Sequence, residues 1–584
     1  MSTESTTNNM PPERQISKLP SSAASFSRLS PELRLMVLEE LLKGYRQRRK
    51  GFWCENELSA YAAVSREWQY FFEKENFKSL ILHQDDIPKF GNIVQGQRIN
   101  FVKWAWLRFE VPAYDCNKCN RKESAVEVRR NNLLFTNAVW DLFVILSTWG
   151  RDGGGGGVTL ELSAHSPSDA GHFCKELQYR LHDTAWGGIS TPRPGDFSEE
   201  RYNDPAHGWH NFLQFADPGD DAKLRVFGHP NGLGFDLRAQ ATRRTAGILP
   251  NVEVVNSLVI RRQFYRHFSV PRALQPIIQS LTQLREFRYE PWRGLNTRHH
   301  FGRVIRDEQH CLLFSNVLKD KKSLRSVSMY EDFDPRGLHN RSTLEPCSPD
   351  LGRALAESSG HLEELHAAHN IDAKDFFHAF WPGQNQNPEG LEWPNLKRLS
   401  LTSRALNPQD YDTLIQAAAA AARHMPKLEA MELWTCHKQH FGLFTYWVSH
   451  RRDGRTSASL DTTWQGEISD RAESCWREVA QAHGRCGRYE HEVWSNHLHR
   501  APFEPPNYEC YRCAVAHCIQ GRQMLTETSW RQILLRGSGP KQLNGVECTH
   551  LALAPRRYGP YVQHKFRQGF EGLERVQELK RLDI

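Results

Sequence analysis

Trp393-Pro-Asn-Leu-Lys-Arg-Leu-Ser-Leu-Thr402 is the stretch whose reading decides the fold. Pro394 cannot donate to a sheet ladder and so marks an entry. After it, Leu396, Leu399 and Leu401 set an L-x-x-L-x-L spacing, whose last two leucines share one face of an extended segment because side chains alternate along a strand. The spacing recurs at Val255-Leu258-Ile260, Leu284-Phe287-Tyr289, Leu324-Val327-Met329, Leu362-Leu365-Ala367 and Leu428-Met431-Leu433, with first positions 29, 40, 38, 34 and 32 residues apart along the series. Similar proline entries stand at Pro250 and Pro426.

Between these strands, Ala273 to Leu281, Val304 to Leu318, Gly352 to Glu357 and Tyr411 to His424 have helical patterns. A strand and helix recurring at this period predicts an α/β chain with an irregular leucine-rich-repeat-like solenoid over residues 251–440. A plain parallel α/β core is the alternative, because short apolar runs fit it too. In the solenoid, the residues between the apolar positions project from the concave face. Glu286, Arg288, Glu290, Ser326, Ser328, Tyr330, Glu364, His366, Arg398, Ser400, Thr402, Glu432 and Trp434 are therefore candidate contacts for a target.

Upstream, residues 100–250 read as first strand-helix units carrying a long insertion. Strands are expected at Phe101 to Val111 and Val158 to Ser163, around a helix at Phe135 to Trp149. From Ile189 to Arg244 the chain is rich in Gly, Pro, Asp and Arg, with a short strand expected at Lys223 to Phe227. The run Gly153 to Gly157 lacks the Lys-Ser or Lys-Thr of a phosphate-binding loop. Downstream, residues 441–584 break the repeat and read as a C-terminal cap. It has an amphipathic helix at Ser469 to His483 and another around Phe566, Phe570, Leu573, Val576 and Leu579.

At the other end, residues 1–26 are polar and read as a disordered tail, and residues 27–80 read as a helical domain. In Leu29-Ser-Pro-Glu-Leu-Arg-Leu-Met-Val-Leu-Glu-Glu-Leu-Leu42, Ser30 is the natural N-cap and Pro31 suits the first helical turn, while Glu32 complements the dipole. Leu33, Leu35, Met36, Val37, Leu38, Leu41 and Leu42 cover much of the helix circumference, which demands burial on more than one side. A second helix, with Leu58, Tyr61, Ser65, Trp68 and Phe72 at three and four residue steps, supplies one covering surface. The rest calls for a partner or the remainder of the chain. Lys43 to Ala60, which includes the basic run from Arg46 to Lys50, reads as the connection.

The ordered pair L-x-P-E-L at Leu29 and V-S-R-x-W at Val64 resembles an F-box. With the repeats behind it, the chain resembles fungal F-box proteins with degenerate leucine-rich repeats, as do residues 57–82, Tyr114-Asp-Cys-Asn-Lys-Cys119 and Val158 to Asp169. The resemblance implies a non-catalytic substrate receptor of an SCF-type cullin-RING ubiquitin ligase, with no cofactor. Its partners would be the SCF adaptor and cullin complex and an unknown target protein. Carried over, the adaptor-facing residues are Leu29, Pro31, Glu32, Leu33, Leu35, Met36, Leu38, Val64 and Trp68. The target would meet Glu286, Arg288, Tyr330, Glu364, His366, Arg398, Glu432 and Trp434.

Composition fits this reading. With 584 residues and 39% hydrophobic content the chain is globular and long enough for several domains. A net charge of +7, from 75 basic and 68 acidic side chains, makes no case for nucleic acid, and the clusters Arg46 to Lys50 and His450 to Arg452 read as solvated loops. No apolar stretch reaches the roughly 18 residues of a membrane span and none resembles a leader, so no membrane is expected. The 13 cysteines, an odd count, read as reduced thiols of a cytoplasmic or nuclear protein. There is no HExxH, GxSxG or Walker loop to suggest an enzyme.

Two cysteine sets are the metal candidates. Cys510, Cys513 and Cys518 with His517, Cys548 and His550 could complete a tetrahedral site, and Cys116 with Cys119 forms a second C-x-x-C. Neither has a second C-x-x-C at finger spacing, so both are expected to be ordinary thiols. The alternative function is a non-ligase interaction scaffold with a structural zinc site or weak nucleic-acid binding.

Overall fold

The first apolar residue of each L-x-x-L-x-L unit lies just before a strand, except Val255, which opens one, and the other two lie within it. In a computed structural model the six units form β6 (Val255–Ile260), β7 (Glu286–Tyr289), β8 (Ser326–Tyr330), β9 (Glu364–Ala368), β10 (Arg398–Thr402) and β11 (Ala430–His437). The structure describes most of residues 26–493. Outside the described residues lie 1–25, 50–56, 151–156, 176–202, 211–212, 215, 217, 237–248, 263, 294–299, 332–346, 384–389, 408, 438–439, 451–455, 463–467, 484–489 and 494–584. The described part forms two units, Met1–Asn76 and Phe77–Ile584.

In the second unit the strands pair in parallel and in chain order. Leu258, Phe287, Val327, Leu365, Leu399 and Met431 fall opposite one another as one row, and Ile260, Tyr289, Met329, Ala367, Leu401 and Leu433 as the next. Both rows are buried, as are Leu284, Leu324, Leu362, Leu396 and Leu428 before the strands, so the motif supplies three stacked apolar layers. Ahead of each strand the N–H groups of Arg325, Glu363, Lys397 and Glu429 donate to the carbonyls of Arg285, Arg325, Glu363 and Lys397 at 2.7–2.8 Å. A one-residue slip would turn these layers outward, so the register is tightly specified.

The sheet continues in both directions. Before β6 stand β1 (Ser79–Leu82), β2 (Trp104–Glu110) and β3 (Val158–His165), all parallel. After β11 come β12 (His440–His450) and β13 (Thr456–Thr462), both antiparallel to their predecessors, and β14 (Glu490–Val493), parallel to β13. The result is one mixed, mostly parallel sheet of twelve strands, with a two-stranded ribbon of β4 (Trp209–His210) and β5 (Leu213–Gln214) apart from it. β1 begins inside the end of the stretch assigned from sequence to the N-terminal domain, residues 27–80; the boundary between the units falls just before it, after Asn76.

Helices fill the crossovers. Gln275–Ser280 follows a π-helical turn at Val270–Leu274, and His300–Leu312 runs into another at Leu313–Leu318. The Pro349–Ser358 helix carries Gly352 where a Cβ would come within 2.6 Å of Asp375 Cβ and 2.8 Å of Phe376 N, so only glycine lets the Ala373–Phe376 turn approach this closely. In Tyr411–Ala422, five alanines are fully buried, which demands cover on more than one side. The Asp470–Ala482 helix supplies one such cover, capped as expected by Ser469, whose hydroxyl accepts from Ala472 N at 3.1 Å.

Three local expectations fail. Lys223 to Phe227 belongs to a helix, Asp220–Phe227, not a strand. Asp220 and Asp221 in its first turn complement the dipole, and Ala222, Arg225 and Val226 bury one face at helical spacing. The second helix of the N-terminal unit is two: α2 (Glu57–Ala62) and α3 (Arg66–Asn76), the latter opened by the Ser65 hydroxyl, which accepts from Trp68 N at 3.3 Å. The first helix, α1 (Pro31–Arg49), runs through much of the basic segment assigned to the connection. The helix expected around Phe566 to Leu579 lies outside the described residues.

Candidate functional site

The N-terminal unit builds its surface on α1. Ser30 caps the helix loosely, its hydroxyl 3.4 Å from Leu33 N, and Glu32 is held below the usual carboxylate range by its own backbone N–H and the Ser30 hydroxyl. Leu38, Leu42 and Tyr45 of α1 pack with Leu58 and Phe72 into a small core. The Trp68 ring sits against Phe26, Phe72 and Tyr61 at centroid distances of 5.5, 5.7 and 6.2 Å. Leu38 and Trp68, expected from sequence to be adaptor contacts, thus serve chiefly the unit's own interior, and Leu38 is fully enclosed. Opposite them, Leu33, Met36 and Val37 remain 49, 58 and 40% exposed at three and four residue steps, with Leu35 at 47% and Val64 at 60%. Pro31 and Glu32 are exposed and Leu29 is half-buried. Arg34 fastens α1 to α3 through Glu67 at 3.0 Å.

In the second unit the candidate target contacts divide into two sets. Glu286, Ser326, Glu364 and Arg398 align across β7 to β10 on the exposed to half-buried first positions of the strands. Glu364 accepts from Arg398 Nη1 at 2.8 Å and from Ser326 Oγ at 3.1 Å, making a cross-strand polar ladder. Arg288 is half-buried. The deeper set departs from expectation: Tyr330, His366, Glu432 and Trp434 are buried, with Ser328, Ser400 and Thr402 beside them. Both faces of β8, β9 and β10 are covered from the second residue on, so these side chains line an interior and not an open concave surface. Burial pushes His366 down to about 3, keeping its imidazole neutral.

Past the end of β8 sits a charged cluster. Glu331 accepts from Arg293 Nε at 2.9 Å and Nη2 at 2.7 Å, and from Arg306 Nε and Nη2. Burial alone would raise its carboxyl, but the two guanidiniums outweigh burial and hold it well below the usual range. A depressed pKa contributes stability that is full above the unfolded carboxylate value and is lost as pH falls through the folded one. Acid unfolding of the full chain, followed by circular dichroism below about pH 4, is therefore expected to be shallower for Glu331→Gln than for wild type, at the expense of stability at pH 7. Equal acid slopes would remove Glu331 from that role.

The metal candidates also divide. Cys510, Cys513, Cys518 and Cys548 lie outside the described residues. Cys116 and Cys119, expected to be ordinary thiols, are brought by the fold together with His172 and His207, their ligand atoms all within 4.8 Å of one another. Sequence reasoning missed both histidines because they stand far from the cysteines, beyond any finger spacing. Among the described residues no helix is long and apolar enough to cross a membrane.

A family model described as a family of unknown function (DUF6546) matches residues 319–508, which take in β8 to β14. No curated protein matches the chain.

Proposed function

We propose that the chain is a non-catalytic substrate receptor of an SCF-type cullin-RING ubiquitin ligase, acting in the cytoplasm or nucleus. The observation that carries this reading is the apolar outer face of α1, where Leu33, Met36 and Val37 stand exposed on a helix opened by Leu29-Ser-Pro-Glu. A small unit with so short a core gains nothing from presenting that face to water, and contiguous exposed apolar side chains mark interaction sites. The F-box reading supplies an occupant, the SCF adaptor, with Leu35 and Val64 at the rim. The in-order strand-helix units behind it suit a leucine-rich-repeat-like solenoid, whose polar ladder Glu286, Ser326, Glu364 and Arg398 is the favoured target surface. Its contribution to ubiquitin transfer would be proximity alone.

Each large apolar side chain buried at the adaptor contributes about 1.5–3 kcal/mol, so the double variant Leu33→Asp/Met36→Asp should weaken adaptor binding by about 100-fold or more. Because both side chains are exposed, its circular dichroism should match wild type. The measurement is co-purification of full-length chain with adaptor and cullin. Wild-type protein that captures neither, or a double variant that captures both undiminished, would sink the proposal. Capture of adaptor without cullin would favour a scaffold outside the ligase.

A further inference from the structure

The geometry points to a structural zinc site formed by Cys116, Cys119, His172 and His207. A tetrahedral zinc with Zn–S near 2.3 Å and Zn–N near 2.0–2.1 Å sets ligand atoms apart by about 3.8 Å between sulfurs and about 3.6 Å between sulfur and nitrogen. Here the two sulfurs are 3.9 Å apart, and His207 Nε2 lies 3.4 Å from Cys116 Sγ and 3.6 Å from Cys119 Sγ. His172 closes the fourth corner within the same 4.8 Å limit. The sulfur separation is nearly twice the roughly 2.05 Å of a disulfide, and one nitrogen at a similar distance from both sulfurs suits a single ion between them. A closed set of two thiolates and two imidazoles selects zinc by softness and by shape, and leaves no position for a substrate.

Each imidazole is already turned to present Nε2. The His207 Nδ1–H donates to Asp204 Oδ2 at 2.7 Å, the carboxylate–histidine arrangement that fixes the tautomer of a ligand and raises its basicity. Asp204 is held in turn by Lys175 Nζ at 2.7 Å. The His172 Nδ1–H donates to the Ser168 carbonyl at 2.8 Å, and the Tyr114 ring stacks on the imidazole at 5.2 Å. Further bonds tie the three ligand-bearing segments to one another. Tyr114 N donates to Ser168 Oγ at 2.9 Å, its hydroxyl donates to Asp169 at 2.9 Å, and Trp209 Nε1 donates to the Phe173 carbonyl at 3.0 Å.

Cys116 and Cys119 form a helical turn beyond the end of β2, His172 follows β3, and His207 lies in the Gly- and Pro-rich insertion. The ion would therefore staple the insertion to the start of the sheet. Cys119, Phe173 and Ala222 form a small apolar cluster beside it.

The test is metal analysis of full-length chain purified without added metal, then stripped and titrated with Zn²⁺ or Co²⁺. Wild type is expected to lose about one equivalent of zinc on Cys119→Ser, whereas Cys510→Ser/Cys513→Ser keeps that equivalent. Co²⁺ should give the intense visible bands of a tetrahedral thiolate site, and chelation should lower the unfolding temperature. If Cys119→Ser does not fold, His207→Cys keeps four ligands and should keep the metal, with a Co²⁺ spectrum shifted toward three thiolates. A metal content unchanged by Cys119→Ser and His207→Ala overturns the site. So does recovery of Cys116 and Cys119 as a disulfide, or as freely alkylated thiols in native protein.

Discussion

Replacing Arg261 by alanine is expected to destabilise the full chain by about 3–5 kcal/mol, read from urea or thermal unfolding. Arg261 Nε and Nη2 grip the two oxygens of Glu161 at 2.7 and 2.9 Å, and Trp104 Nε1 adds a third donor at 2.9 Å. Both partners are enclosed, with Arg261 1% and Glu161 0% exposed at the side chain. Alanine would therefore leave a buried carboxylate without the cation that grips both its oxygens, also removing the guanidinium that lies 5.4 Å over the Trp106 ring. The pair itself is not the source of the loss. Replacing both partners together by apolar residues of similar volume, as in Arg261→Met/Glu161→Leu, should restore most of the stability, because the desolvation penalty goes with the charges. A single-variant loss below about 1 kcal/mol would mean that Glu161 finds water or another cation once Arg261 is gone.

Trp476→Ala should cost a similar 3–5 kcal/mol, through a different mechanism. The indole fills the seam between the Asp470–Ala482 and Tyr411–Ala422 helices and the last strands, tilted against Tyr446 and Phe444 at 4.8 and 5.3 Å. Its Nε1 donates to the Ile415 carbonyl at 3.2 Å. Alanine leaves a cavity that the alanine-rich helix, already buried along most of its length, cannot collapse to fill. Trp476→Phe should fall between, losing the hydrogen bond but keeping most of the packing. Trp447 of β12 is 42% exposed and provides the control, with an expected change within about 0.5 kcal/mol on Trp447→Ala. Comparable losses at the two tryptophans, measured by denaturant midpoint, would deny Trp476 its place in the seam.

The repeat strands were legible because their signal is local. Leu396, Leu399 and Leu401 declare a strand and its buried face by spacing alone, and the same was true at all six units. What local pattern misses is what arrives from elsewhere. Tyr330, His366, Glu432 and Trp434 alternate with apolar neighbours as surface residues would, yet they are covered by parts of the fold that no strand-level pattern reports. The break between α2 and α3 escaped notice because Leu58, Tyr61, Ser65, Trp68 and Phe72 keep helical steps straight across it. Cys116 and Cys119 were visible as a pair, whereas His172 and His207 become their neighbours only once β2 and β3 lie side by side. On α1 the apolar circumference was legible, but its division into an inner face at Leu38 and Leu42 and an outer one at Leu33 and Met36 needed the second and third helices.

The chain-order sheet also bears on how the protein is made. With few exceptions, each strand pairs with the one synthesised just before it, so a growing chain finds its docking edge already in place and can zip forward with modest loop closures. The main exception is the step from β3 to β6, where Val158 must await Val255 while the whole insertion emerges. Until then β3 offers an unpaired edge of buried character, the kind of surface on which nascent chains aggregate or recruit chaperones. Synthesis should pass its point of greatest vulnerability there, before β6 and the strands after it exist.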